Sequence, residues 1–144
     1  MALFIDLKIL AIFLKEKICI NLMRYKEYCP VLVRIGLSIV FLWFGINQLL
    51  FTENFSGYVP EFMKGFFEPS FIIISNGIFE TIFGVLLLMG IFTRFVAFLL
   101  GLHLVGIIIG LGYNEIAVRD FGLMLAIFSV ALNGPDKLCL YKKF

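Results

Sequence analysis

The apolar residues of this chain fall into four long runs: Val31–Phe51, Phe71–Phe92, Phe95–Gly112 and Ile116–Asn133. Each is close to the roughly 20 helical residues that cross a hydrocarbon layer of about 30 Å. Their edges carry helix punctuation. Pro30 precedes the first run, Pro69-Ser70 the second, Thr93-Arg94 parts the second from the third, and Gly134-Pro135 follows the fourth. Proline suits a first helical turn, and glycine followed by proline suits a helix end. Such runs cannot be hidden inside a soluble domain of 144 residues, of which 62% are hydrophobic and 15% charged. An ordinary soluble enzyme, a disordered chain and a disulfide-stapled mini-protein are all excluded. The expected fold is all-α, an integral membrane four-helix bundle.

Net charge is +2, so no bulk basicity points to nucleic acid, and no nucleic-acid partner is expected. What matters is where the charges lie. Lys8, Lys15, Lys17, Arg24 and Lys26 precede the first run, Arg94 lies between the second and third, and Lys137, Lys142 and Lys143 follow the fourth. The two opposite loops hold Glu53, Glu61, Glu68 and Glu115 against Lys64 alone. By the positive-inside rule both termini are expected in the cytoplasm. The opening MALFIDLKIL does not read as a signal peptide, since Asp6 and Lys8 break it and no small-residue cleavage site follows. Residues 1–29 read as an amphipathic arm on the cytoplasmic interface, 30–135 as the membrane domain and 136–144 as a basic tail. In the first outer loop, Val59, Phe62, Met63, Phe66 and Phe67 recur at helical spacing after Pro60, with Glu61, Lys64 and Glu68 on the other face. That pattern predicts a short amphipathic helix lying on the membrane surface.

Polar residues inside apolar runs are costly, about 2.5–3.5 kcal/mol for a mid-membrane charge on insertion scales, so each needs a reason. They are Arg34, Asn47, Gln48, Asn76, Glu80, His103, Arg119 and Asp120. In the first run Arg34, Ser38, Phe41, Gly45 and Gln48 share a face; in the second, Asn76, Glu80 and Gly84 do. In the third His103, Gly106 and Gly110 share one, the glycines forming a GxxxG that permits close helix approach. In the fourth the stripe is Arg119, Gly122, Ala126, Ser129 and Asn133. Four such stripes predict a polar seam along the bundle axis. Glu80 and His103 fall near mid-membrane, where they can pair, and Arg34 stands alone near the inner side, free to snorkel. Two readings of the seam stay open. Either it receives a polar or quinone-like ligand or passes protons, or Arg119, Asp120 and Glu80 neutralise one another and lock the bundle. Cys19, Cys29 and Cys139 form no CxxC and lie outside the runs, as reduced, solvent-side thiols. With His103 the sole histidine, metal ligands are scarce and no metal is expected.

Several of these elements resemble the DoxX family of small membrane proteins. They are Arg34-Ile35-Gly36-Leu37 with Phe41-Leu42-Trp43-Phe44-Gly45-Ile46-Asn47-Gln48; Glu80-Thr81-Ile82-Phe83-Gly84 with Leu86-Leu87-Leu88-Met89-Gly90-Ile91-Phe92-Thr93-Arg94; and Val118-Arg119-Asp120-Phe121-Gly122-Leu123. The family often has Lys where this chain has Gln48, and a G-x-G-x element where this chain has Gly134-Pro135-Asp136. The resemblance implies a four-helix bundle in the cytoplasmic membrane of a bacterium or archaeon. It also implies association with membrane redox, as in thiosulfate:quinone oxidoreductase, with quinone as a non-covalent cofactor. Membrane lipid, and either redox proteins of the membrane or further copies of the chain, are the partners it suggests. The expected function is an accessory or quinone-linked subunit of a sulfur or thiol redox system. The alternative is a small-solute or lipid binding or transport protein using the seam. No nucleophile–base pair, metal set or dinucleotide fingerprint marks an autonomous enzyme.

Overall fold

The structure, a computed structural model, describes residues 25–141. The interfacial arm expected before Tyr25 lies outside the described residues. Four long helices dominate: α1 Cys29–Leu50, α2 Pro69–Met89, α3 Thr93–Leu111 and α4 Glu115–Asn133. No strand occurs among the described residues. Three segments, Lys26–Leu50, Pro69–Met89 and Thr93–Leu111, are long and apolar enough to cross a membrane. The fourth helix has the 19 residues of α3 and packs along it.

Local chemistry sets the boundaries. Pro30 sits in the first turn of α1 and Pro69 in that of α2, where a missing N–H costs nothing. α2 stops three residues short of the predicted Phe92, because Gly90 adopts a left-handed conformation (φ 69°). The Gly90 amide bonds the Leu87 carbonyl and the Ile91 amide bonds that of Leu86, a Schellman ending that satisfies the last carbonyls. Asn114 caps α4 by accepting a hydrogen bond from the Ala117 amide at 2.8 Å.

α1 packs chiefly on α2 and α3 chiefly on α4, with lighter α1–α4 and α2–α3 contacts closing the ring. The tightest crossing joins α1 to α2. A Cβ added at Gly45 would stand 2.5 Å from Thr81 Oγ1, and one at Gly77 would stand 2.9 Å from the Gly45 carbonyl. Small residues let the two backbones touch, which matters in lipid, where burial of apolar surface no longer drives helices together. Leu37, Phe41, Leu87, Val96, Leu100, Leu104 and Ile127 fill the centre. Leu32, Ile39, Ile82, Phe98, Leu125 and Leu132 point outward, as lipid-facing side chains do.

Two of the four predicted seams are inward and two are not. Arg34, Ser38, Phe41, Gly45 and Gln48 are all buried on α1, and Glu80 and Gly84 on α2 beside the half-buried Asn76. On α3, Gly106 is exposed with open space where a Cβ would stand, so the GxxxG does not join two helices of this chain. On α4, Arg119, Gly122, Ser129 and Asn133 are exposed, and the buried residues are Ala117, Asp120, Ile127 and Val130. Towards the C-terminal end of α4 the bulkier Ile127 and Val130 take the interior because they fill it, and Gly122 and Ser129, with less to bury, are left outside.

The loop between α1 and α2 is also shorter in helix than its periodicity predicts. Thr52–Tyr58 forms a 3-10 segment and the α-helix covers only Glu61–Lys64, ending at Gly65. Phe66 and Phe67 therefore follow the helix, although they and Phe62 remain exposed while Val59 is buried. Residues 136–141, read as the start of a basic tail, pack back against the α2–α3 turn. The Leu140 amide bonds the Met89 carbonyl at 3.1 Å. Gly90 lies so close to Cys139 that an added Cβ would stand 2.6 Å from the Cys139 Cα.

Candidate functional site

At the middle of the bundle α1, α2 and α3 each contribute to one polar cluster. The Glu80 carboxylate, from the centre of α2, is 4% exposed. Its Oε2 accepts from Gln48 Nε2 at 3.1 Å, and its Oε1 accepts from Asn76 Nδ2 at 3.2 Å. His103 Nε2 lies 3.3 Å from the same Oε1. Asn76 Nδ2 also donates to Gln48 Oε1 at 2.7 Å, which orients both amides with their donors toward the carboxylate. The i, i+4 spacing of Asn76 and Glu80 places them one turn apart on α2, and the Gly45–Gly77 crossing brings Gln48 alongside. His103 packs against Phe79 with the rings tilted by 40° and their centroids 4.7 Å apart, and its side chain is 19% exposed, so the cluster reaches the bundle surface through the imidazole. Amides fixed by each other and a histidine on the carboxylate form a group able to hold a proton, or to meet a ligand that offers both a donor and an acceptor.

The other predicted seam residues lie elsewhere. Asn47 Nδ2 bonds its own helix at the Trp43 carbonyl, 2.7 Å away, and stays out of the cluster. Arg119 pairs with the adjacent Asp120 at 2.8 Å, and its guanidinium lies over the Phe44 ring, 5.1 Å from the centroid. No hydrogen bond links that pair to Glu80 among the described residues. The mutual neutralisation of Arg119, Asp120 and Glu80 considered from sequence is therefore not made: Glu80 is held by amides and an imidazole.

Arg34 does not stand alone. It is 1% exposed, and its Nε bonds Asp136 Oδ2 at 2.6 Å while Nη2 reaches Oδ1 at 3.3 Å. Its Nη1 donates to the Leu87 and Leu88 carbonyls at 2.8 and 2.5 Å, at the C-terminal end of α2. A cation at that end is favoured by the helix dipole as well as by the two carbonyls. Burial pushes the Asp136 carboxyl up, but the Arg34 hydrogen bond, the Leu138 amide and the Arg34 charge outweigh it and hold the group below its ordinary value. Cys139 is likewise buried rather than solvent-side. Its sulfur accepts from the Asp136 amide at 3.2 Å and meets Thr93 Oγ1 at 3.4 Å. Cys29 is exposed, and Cys19 lies outside the described residues. The signal for Asp136 was present in the sequence. It is a lone acid among basic residues directly after a helix stop, and an arginine inside an apolar helix requires one.

A bundle of long apolar helices with a hydrogen-bonded carboxylate at its middle is an integral membrane protein of the small helical class. Residues 29–113 match the DoxX family model, and the chain belongs to that family. The matched stretch spans α1 through α3 and contains the whole Glu80 cluster; α4 and its Val118–Leu123 element lie beyond it. No curated protein and no solved structure matches the chain.

Proposed function

We propose that this DoxX protein is a quinone-linked accessory subunit of a membrane sulfur or thiol redox system, residing in the cytoplasmic membrane with four crossings and both termini in the cytoplasm. The observation that carries the reading is the Glu80 cluster. It combines a buried carboxylate, two oriented amides and an imidazole that opens sideways beside Phe79. A quinone head group brings an aromatic ring and carbonyl acceptors from within the bilayer. His103 supplies a polar ring edge and Phe79 a ring face at the entrance, with the Glu80 carboxylate directly behind them. Partner proteins supply the sulfur chemistry, since this chain offers Glu80 and His103 for binding and proton holding. The placement of Lys26, Arg94 and Lys137 at one end, against Glu53, Glu61, Glu68 and Glu115 at the other, supports the orientation.

The test is Glu80→Gln in the full chain, which keeps size and most hydrogen bonds. A well-folded variant that no longer binds a soluble quinone analogue, and no longer supports quinone reduction when returned to its host membrane, supports the site. A well-folded variant with unchanged quinone binding and turnover overturns it. Orientation is tested separately. A reporter after Phe144 is expected on the cytoplasmic side and one at Gly57 outside, and the reverse pattern sinks the topology.

A further inference from the structure

The three arginines among the described residues differ in their partners. Arg34 holds Asp136 and Arg119 holds Asp120. Arg94, in the first turn of α3, makes no ion pair with any described residue. It does not point freely into water either. A Cβ added at Gly134 would run into its Nε, Nη2 and Cζ, so the guanidinium rests on the turn that ends α4. Gly134 itself is left-handed (φ 78°), and the glycine leaves room for the guanidinium there.

Below Arg94 a groove of about 590 Å³ runs between α3 and α4, lined by Phe95, Phe98, Phe128, Ala131 and Leu132. Its far end is closed by aromatic rings. Phe98 and Phe128 meet edge-on at 6.1 Å, and Phe128 fills the space over Gly101. Its side is open, since Phe95, Phe98 and Leu132 are exposed on the surface that faces lipid. The mouth lies at the end of the bundle that also carries Lys26 and Lys137, and the N-terminus of the 19-residue α3 adds its positive dipole end there.

We propose that this groove holds an anionic phospholipid of the adjoining leaflet, its phosphate on Arg94 and one acyl chain along the Phe95–Leu132 trough. Charge complementarity and polarity order select this occupant. One carboxylate-free cation stands at the water boundary, followed inward by aromatic and aliphatic side chains only. An inorganic anion would leave the trough uncovered, and an uncharged lipid would leave the guanidinium unanswered. Basic pockets between helices at a membrane boundary bind anionic headgroups for this reason. The guanidinium already lies against Gly134 at the mouth of the groove.

The experiment titrates the purified full chain in neutral detergent with phosphatidylglycerol or phosphatidylcholine of matched acyl chains, counting bound lipids by native mass spectrometry. Phosphatidylglycerol is expected to bind more tightly. Arg94→Gln should weaken it about fivefold, the effect of one basic contact at a membrane surface, while Arg94→Lys keeps most of the preference. Ala131→Phe, which fills the trough, should weaken both lipids with Arg94 intact. Lipid-free melting temperatures of all variants identify any that misfold, and Arg94→Lys decides the matter if Arg94→Gln does. Equal binding of the two lipids by the native chain, an unchanged preference in Arg94→Gln, or displacement of phosphatidylglycerol by millimolar inorganic phosphate each overturns the proposal.

Discussion

Two buried ionic centres lie in this bundle, and they are built on opposite plans. Around Arg34 three of four contacts are short, 2.5 to 2.8 Å, and the fourth is 3.3 Å: two bonds run to Asp136 and two to the end of α2, with both charged side chains 2% exposed. Around Glu80 the contacts are longer, 3.1 to 3.3 Å, and the partners are two neutral amides and a histidine that reaches the surface. The first centre commits four of the five guanidinium N–H groups within the protein and ties α1, α2 and the segment after α4 into one unit. The second is a carboxylate–imidazole pair with one side open to the bundle surface. Intramembrane charge is therefore not of one kind in this protein. Saturated charge holds the bundle together, and incompletely committed charge is where chemistry has room.

The sharpest way to break the contrast is to remove one partner from each centre. Asp136→Ala strands a buried guanidinium and should cost about 3–5 kcal/mol, read as a large drop in thermal or denaturant stability in detergent. Glu80→Gln keeps the size of the side chain but sets its new NH2 against the donating amide of either Gln48 or Asn76, so one contact is lost at a cost of about 1 kcal/mol, while quinone binding is lost. If Glu80→Gln destabilises as much as Asp136→Ala, the two centres are alike and the distinction fails. Between these extremes stands Gly90→Ala. It forces a left-handed non-glycine residue and pushes on Cys139, and should cost about 1–3 kcal/mol. That loss should be coupled to Asp136→Ala in a double-mutant cycle, because both loosen the same segment.

Acid distinguishes the centres more gently. The Asp136 carboxyl is held below its ordinary value of 3.8. Its contribution to stability is thus complete above about pH 4 and is lost as pH falls through the lower folded value. The native chain should lose stability as the pH is lowered through that window, and Asp136→Asn should flatten that part of the profile. The smallest effect is expected at the surface. Lys64 and Glu61 are paired at i, i+3 with Glu61 fully solvated, and Lys64→Ala should change stability by about 0.5 kcal/mol or less.

The helices, their order and the inward faces of α1 and α2 were readable in the sequence, because hydropathy and proline-glycine punctuation act locally. Asn76 and Glu80 could be placed on one face from helical spacing, and Glu80 near His103 from depth, whereas Gln48 joins them only through the Gly45–Gly77 crossing. The faces of α3 and α4 were not readable. Small residues at Gly106, Gly122 and Ser129 suggest a packing stripe, yet which stripe is buried depends on the neighbouring helix, and bulkier Ile127 and Val130 prevailed. The Arg34–Asp136 bond was hidden for a different reason. Its partners are 102 positions apart, and nothing periodic links a helix interior to a residue after the last helix.

That separation has a bearing on how the protein is made. At about 5–20 residues per second, roughly 5 to 20 seconds pass between synthesis of Arg34 and of Asp136. Throughout that interval the first helix carries an uncompensated guanidinium, which keeps to the headgroup boundary until its carboxylate arrives. Docking of Asp136 then draws it inward and fixes α1 against α2. The junction of α1, α2 and the segment after α4 can therefore close only once all four helices have been made.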